Sequence, residues 1–344
     1  MVSLVSHTQT TLITGFVSRY VNGTLSGASS GPDGLIVLPD LGELWAGDGD
    51  GTVKVISLTS NTIVASISTG SKKRADEFGY DPGQRIVVVT NPQEAVPYVS
   101  VISAANRTVL GKIMFPNVTE LEQPAFNALT GIFYVSVPSS SINPGGSICT
   151  LDIASMSISA TYPLPDCVPG GIVFGPNQHL FISCNSITDY GYARSYVMDT
   201  ASNGKIIGNI TGLAGIDQVA YDPVANLYYA SAYQYLLDNK TAMPFVGIVN
   251  ASSNTLVQSI VTDNVTAHSV AVNHNTGAMV VPVKSRGILV YSLKSSMSGS
   301  YISNSASGTA ATPPATFTGA GTRWYPMIST AIAGAAASAV FSYL

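Results

Sequence analysis

The chain has 344 residues, of which 46% are hydrophobic and only 10% charged, and its net charge is -4. Average soluble domains carry about 25% charged residues; here Ser and Thr fill the polar positions, and 32 Gly with 19 Pro break the chain into short segments. The apolar content excludes general disorder, and with no basic cluster beyond Lys72-Lys73-Arg74, phosphate-driven nucleic-acid binding is excluded too.

In chain order, the first element is a pair of apolar runs across a turn, Val2 to Ser6 and then Thr11 to Val17. A similar pair follows as Val53 to Leu58 and Thr62 to Ile67. Ahead of it, and ahead of each later pair, stands a segment with a small or polar start, an apolar alternation and a turn. Six such segments begin at Asp33, Asp76, Glu122, Gly170, Asp217 and His268, spaced 43, 46, 48, 47 and 51 residues apart. Each leads into a second apolar run, such as Ile86 to Val89, Ile132 to Val137 or Leu227 to Ser231. Four short strands per unit of about 45 residues predict an all-β chain, a β-propeller of six or seven four-stranded blades. It spans residues 1–294.

First strands number six, whereas third strands number seven, ending at Ile288 to Leu293. Either Thr11 to Val17 closes the last of six blades, or the N-terminal blade is incomplete and half of a seventh lies upstream. We favour the second reading, because propellers avoid unpaired edges by ring closure.

Residues 295–322, rich in Ser, Thr, Ala, Gly and Pro, read as a stalk. After Arg323 an uncharged tail runs to Leu344. A stalk and an apolar tail match a lipid-anchor (GPI) signal, the one membrane contact expected; an Ala-rich helix packed on the propeller is the alternative. The N-terminal residues carry neither a basic region nor an apolar run of signal-peptide length. A secretory-pathway reading therefore expects a start further upstream. That reading rests on seven Asn-X-Ser/Thr sequons, at Asn22, Asn106, Asn117, Asn209, Asn239, Asn250 and Asn264. Asn106 and Asn250 fall in predicted turns and Asn239 in a long loop.

Of three cysteines, Cys167 precedes the first strand of its blade and Cys184 ends the second. Antiparallel neighbours bring those points to one end of the hairpin, so a disulfide is expected, worth roughly 3 kcal/mol by loop entropy. Cys149 is read as a buried thiol. Without a Cys-X-X-Cys motif or a Cys/His cluster, zinc is not expected. Asp48-Gly-Asp50-Gly is read as a plain turn, with Ca²⁺ the one ion it could take. No other cofactor is expected.

In a propeller the first strands line the axis, and their N-terminal ends share one rim. Asp33, Asp76, Glu77, Glu122, Gln123, Asp217, Gln218 and His268 should converge there, with Gly170-Gly171 leaving one sector open. Crowded carboxylates repel, so some pKa values should rise, as general acid catalysis near neutral pH requires. Asp76, Glu77, Glu122, Asp217 and His268 are the catalytic candidates; Asp33, Gln123 and Gln218 are binding candidates. Loops carrying Tyr190, Tyr192, Tyr233 and Tyr235 should frame a pocket for a largely apolar small molecule.

Ile86-Val-Val-Val-Thr-Asn, Ile132-Phe-Tyr-Val-Ser-Val and Asn254-Thr-Leu-Val-Gln-Ser-Ile resemble the YVTN-type propeller repeat of the quinoprotein-amine-dehydrogenase-like superfamily. The resemblance covers about residues 1–293 and implies the fold; binding, surface and enzymatic members all occur. In character the chain is similar to propeller enzymes of fungal natural-product clusters, the trichothecene cyclase-type protein and the hetero-Diels–Alderases of tropolone sesquiterpenoids. That similarity implies loss of water and ring closure on a terpenoid or polyketide, without assigning roles to residues. Two other readings stand beside it, an anchored cell-surface binding propeller and a metal-dependent lactone hydrolase.

Overall fold

A computed structural model describes residues 1–6, 8–185, 194–237, 239–262, 267–283 and 286–292. The expected stalk and tail, together with Tyr190, Tyr192 and Asn264, lie outside the described residues.

Among the described residues a two-stranded hairpin, Tyr20–Val21 with Thr24–Leu25, precedes six larger antiparallel sheets laid in sequence order. Blade one is Leu35–Leu38, Glu43–Gly47, Thr52–Ser57 and Thr62–Ser68; blade two is Phe78–Asp81, Ile86–Asn91, Tyr98–Ser103 and Thr108–Met114. Blade three comprises Pro124–Asn127, Ile132–Val137, Ser147–Asp152 and Ser157–Pro163, and blade four Pro169–Phe174, His179–Cys184, Arg194–Asp199 and Lys205–Thr211. Blade five runs through Val219–Asp222, Leu227–Ala232, Phe245–Asn250 and Thr255–Val261. Blade six has three strands among the described residues, Ala271–Asn273, Ala278–Val283 and Gly287–Tyr291. Together they form a six-bladed β-propeller.

Burial explains the patterning. Second and third strands are covered on both faces by neighbouring blades, so they read as continuous apolar runs: every residue of Ile86–Asn91 and Tyr98–Ser103 is buried. Fourth strands face solvent on one side and alternate, as in Thr108–Met114. Between third and fourth strands, five blades share a register shift at the same place, for example between Val55 and Ile56 and between Ile248 and Val249. Such a bulge adds local twist. Tight turns are closed by short polar side chains: Asp81 Oδ1 accepts from the N–H groups of Gly83 and Gln84, and Asn250 Oδ1 from those of Ser252 and Ser253.

The core is a series of seams between blades. Trp45, Val53 and Val55 of blade one meet Phe78, Val87 and Val89 of blade two, and the next four seams repeat the arrangement. The Cys167–Cys184 disulfide ties the start of blade four to the end of its second strand, as expected. Cys149 is a buried free thiol in the seam between blades two and three.

At the N-terminus the expectation needs correction. Thr11 to Val17 forms no strand ladder. Instead Ile13 and Phe16 lie against Leu44, Ala46 and Ile56 of blade one, and Val17 is held by bonds from its N–H to Asp48 Oδ1 and from Gly31 N to its carbonyl.

Candidate active site at the axial mouth

The first strands are short, and the residues leading into them crowd the N-terminal end of the axis. A cavity of about 160 Å³ sits there, lined by the polar Glu77, Gln123, Gln218 and Ser269 and the apolar Leu35, Val219, Val270 and Ala271. Across it, Gln218 Nε2 of blade five donates to Glu77 Oε1 of blade two at 2.7 Å. That single bond joins residues 141 positions apart and fixes the Glu77 carboxyl beside the cavity.

Arg74 anchors the acidic side. Its Nη2 lies 2.7 Å from Asp76 Oδ2 and its Nη1 3.7 Å from Asp33 Oδ1. One guanidinium cannot neutralise its neighbours, which include Glu120 and Glu122 as well. Burial, then the neighbouring Asp76 and Asp217 carboxylates, pushes Glu77 up to about 8. For Asp76, burial raises the pKa, Arg74 pulls it back, and the balance stands at about 6. Burial first and Asp217 second place Glu122 well above its ordinary value, and burial raises Glu120. The mouth therefore holds carboxylic acids that keep protons at neutral pH.

Beside these acids stands a carboxylate–imidazole pair. His268 Nδ1 lies 3.0 Å from Asp217 Oδ2, close enough for an ion pair but off hydrogen-bond alignment. The ring of Tyr233 packs 5.4 Å from the imidazole, centroid to centroid. Burial and then Asp217 raise the Tyr233 hydroxyl pKa, so it stays a neutral donor.

Several residues sit elsewhere than the sequence implied. Asp33 is fully buried, with a pKa raised by burial to about 8, and lies 3.7 Å from Arg74 rather than on the open rim. Tyr235 packs edge-on to Phe245 at 4.9 Å within the seam between blades four and five; its apolar ring is worth more there than on the rim. The Gly170-Gly171 sector is closed rather than open. Gly171 N donates to Asp217 O at 2.6 Å, and a Cβ on Gly171 would lie 2.3 Å from that oxygen. Blade five's backbone fills the space that a side chain would take. Arg74, Glu120 and Ser269 belong to the mouth and were missed. Arg74 and Glu120 each stand two residues before a rim carboxylate, the spacing that puts extended-chain side chains on one face.

Beyond the mouth, Asp48 is buried, its Oδ1 accepting from the N–H groups of Val17 and Gly49 and its Oδ2 lying 3.3 Å from Lys54 Nζ. Asp50 also approaches Lys54, at 3.9 Å. An ammonium thus occupies the place a calcium ion would need, and among the described residues no three His, Cys, Asp or Glu side chains are arranged to hold a metal. The sequon residues Asn22, Asn106, Asn117, Asn209 and Asn239 are exposed, whereas Asn250 is half-buried in its turn.

The fold and this mouth define a six-bladed propeller with an acidic axial cup. Solved structures similar to it include hydrazine synthase of Kuenenia stuttgartiensis, with a TM-score of 0.62 at 14% identity over 83% of this chain and 84% of that one. A chain of a mitotic checkpoint complex aligns with a TM-score of 0.59 at 12% identity, over 75% and 73%. At such identities the likeness is one of fold alone. No protein-family model matches the chain, and no curated protein matches it by sequence.

Proposed function

We propose that the axial mouth is the active site of an enzyme, without a redox cofactor, that removes water from an alcohol and closes a ring, in fungal secondary metabolism within the secretory pathway. The observation that supports it is Glu77, an acid with a pKa near 8 held at a cavity wall by Gln218. Glu77 protonates the hydroxyl of an activated alcohol, the C–O bond breaks, and water leaves. A second hydroxyl of the substrate attacks the resulting cation, forming the ring C–O bond and passing its proton to His268. The neighbouring carboxylates Asp76 and Asp217 stabilise the positive charge meanwhile. The mixed polar and apolar lining suits the hydroxylated end of an otherwise apolar terpenoid or polyketide.

Deleting the gene from the source organism tests this directly. Loss of a cyclised product with build-up of a hydroxylated precursor supports the assignment, and an unchanged metabolite profile overturns it. The exposed sequons favour a second reading, an anchored cell-surface binding propeller. Release of the native protein from membranes by a phospholipase specific for lipid anchors is its test.

A further inference from the structure

At the end of the propeller opposite the axial mouth, one left-handed residue leads from the first-strand turn into each second strand. It is Arg85 in blade two, Gly131 in blade three and Gln178 in blade four. In blades two and four that side chain reaches back across the seam to the blade before. Arg85 Nε lies 3.5 Å from Asp40 Oδ2 of blade one, and Arg107, which leads into the fourth strand of blade two, pairs with Glu43. Between blades three and four, Asn127 Nδ2 donates to Gln178 Oε1 at 3.4 Å and to Thr200 Oγ1 at 3.5 Å.

Blade three breaks the pattern. Gly131 has no side chain to send across. Met156, the counterpart of Arg107, packs against Gly111 of blade two. Ile153 stands where blade four has Thr200. A cavity of about 460 Å³ lies in the seam between blades two and three, with Asp81 on one wall and Ile132, Asp152 and Ile153 on the other. Its volume falls within the range of about 300–1,000 Å³ typical of ligand pockets.

The charge there is one-sided. Asp81 is only 4% exposed. Its Oδ1 accepts from the N–H groups of Gly83 and Gln84, and its Oδ2 has no donor among the described residues. Half-exposed Asp152 adds a second carboxylate, and no Lys or Arg lines the cavity. A desolvated carboxylate gains most from a cation that also satisfies its hydrogen-bond sites.

We propose that this cleft binds an arginine side chain of a partner polypeptide, its guanidinium on Asp81 and Asp152 and its methylene stem along Ile132 and Ile153. The contact would repeat between two chains what Arg85 and Arg107 do within this one, where each crosses a seam to a carboxylate of the preceding blade. A guanidinium suits the site better than an ammonium, because it is more weakly hydrated and loses less on entering a half-buried cleft. Its apolar stem covers the isoleucines while the charged end stays on the acids.

The test is calorimetric titration of the full chain with the capped tripeptide acetyl-Leu-Arg-Leu-amide and with its citrulline analogue, which has nearly the same shape and no charge. The arginine peptide should bind at least ~10-fold more tightly, and Asp81→Asn should erase that difference. Asparagine keeps the turn, as Asn127 shows at the same place in blade three, where its Oδ1 accepts from Leu129 N. Gly131→Arg, which supplies a guanidinium from the chain itself, should weaken the peptide by at least ~10-fold. Equal binding of the two peptides overturns the proposal, as does a difference that survives Asp81→Asn, an affinity unchanged by Gly131→Arg, or no saturable binding below ~10 mM. A lysine peptide or free agmatine that binds as tightly as the arginine peptide overturns the assignment to arginine on a polypeptide.

Discussion

The two halves of the axial mouth occupy equivalent places in the repeat and carry opposite chemistry. Blades one to three and the loops into them bring Asp33, Asp76, Glu77, Glu120 and Glu122 around one guanidinium, Arg74. Blades four to six bring two glycines, one carboxylate, one amide and one imidazole: Gly170, Gly171, Asp217, Gln218 and His268. Excess carboxyl over cation forces protons to stay on the first half, whereas the second half sets a lone carboxylate beside an imidazole. The repeat fixes where a residue stands; the local balance of charge decides what it can do.

The sharpest way to break this contrast is Glu77→Gln, which keeps the bond to Gln218 but removes the proton. Turnover of the hydroxylated precursor should fall by on the order of 10²–10⁴-fold with the melting temperature held, and retained turnover would remove Glu77 from the mechanism. Arg74→Met attacks the acidic half through its cation. Stripping the partner from a buried ion pair costs about 3–5 kcal/mol, to be read by urea denaturation at pH 7. At pH 5, where Asp76 is protonated, the loss should shrink. Gly171→Ala probes the other half: its Cβ meets the Asp217 carbonyl, and overpacking of about 1–3 kcal/mol should appear as a lowered midpoint.

A further expected outcome is a tilt in the pH profile of the wild-type protein. Glu77 and Asp33 rise to about 8 and Asp76 to about 6 on folding, from ordinary values near 4. The folded state therefore binds more protons than the unfolded one between pH 4 and 8, and stability falls as pH rises through that window. The contribution is fully present below the unfolded values and gone above the folded ones. A melting temperature that climbs from pH 5 to pH 8 would contradict the raised carboxyl pKa values.

Much of this architecture was legible in the sequence because a propeller repeats. Six small or polar starts at near-equal spacing located six first strands, and the rim carboxylates followed from those starts. Gly170-Gly171 was misread because absence of a side chain looks like open space, when blade five's backbone occupies it. Tyr235 was misread because loop position does not reveal which way a ring turns, and Phe245 claims it. Thr11 to Val17 has the alternation of a fourth strand and the packing of one, but a strand also needs a partner. Arg74 went unnoticed as one of three basic residues in a row; only its spacing from Asp76 sets it apart.

The Gln218–Glu77 bond is a crossbar as well as a brace. It ties blade two to blade five across the cavity, so any movement that parts those two blades at the axis has to break it first. Opening of the mouth and release of the Glu77 carboxyl are then one event, and Gln218→Ala should uncouple them, loosening the carboxyl without a change of blade spacing.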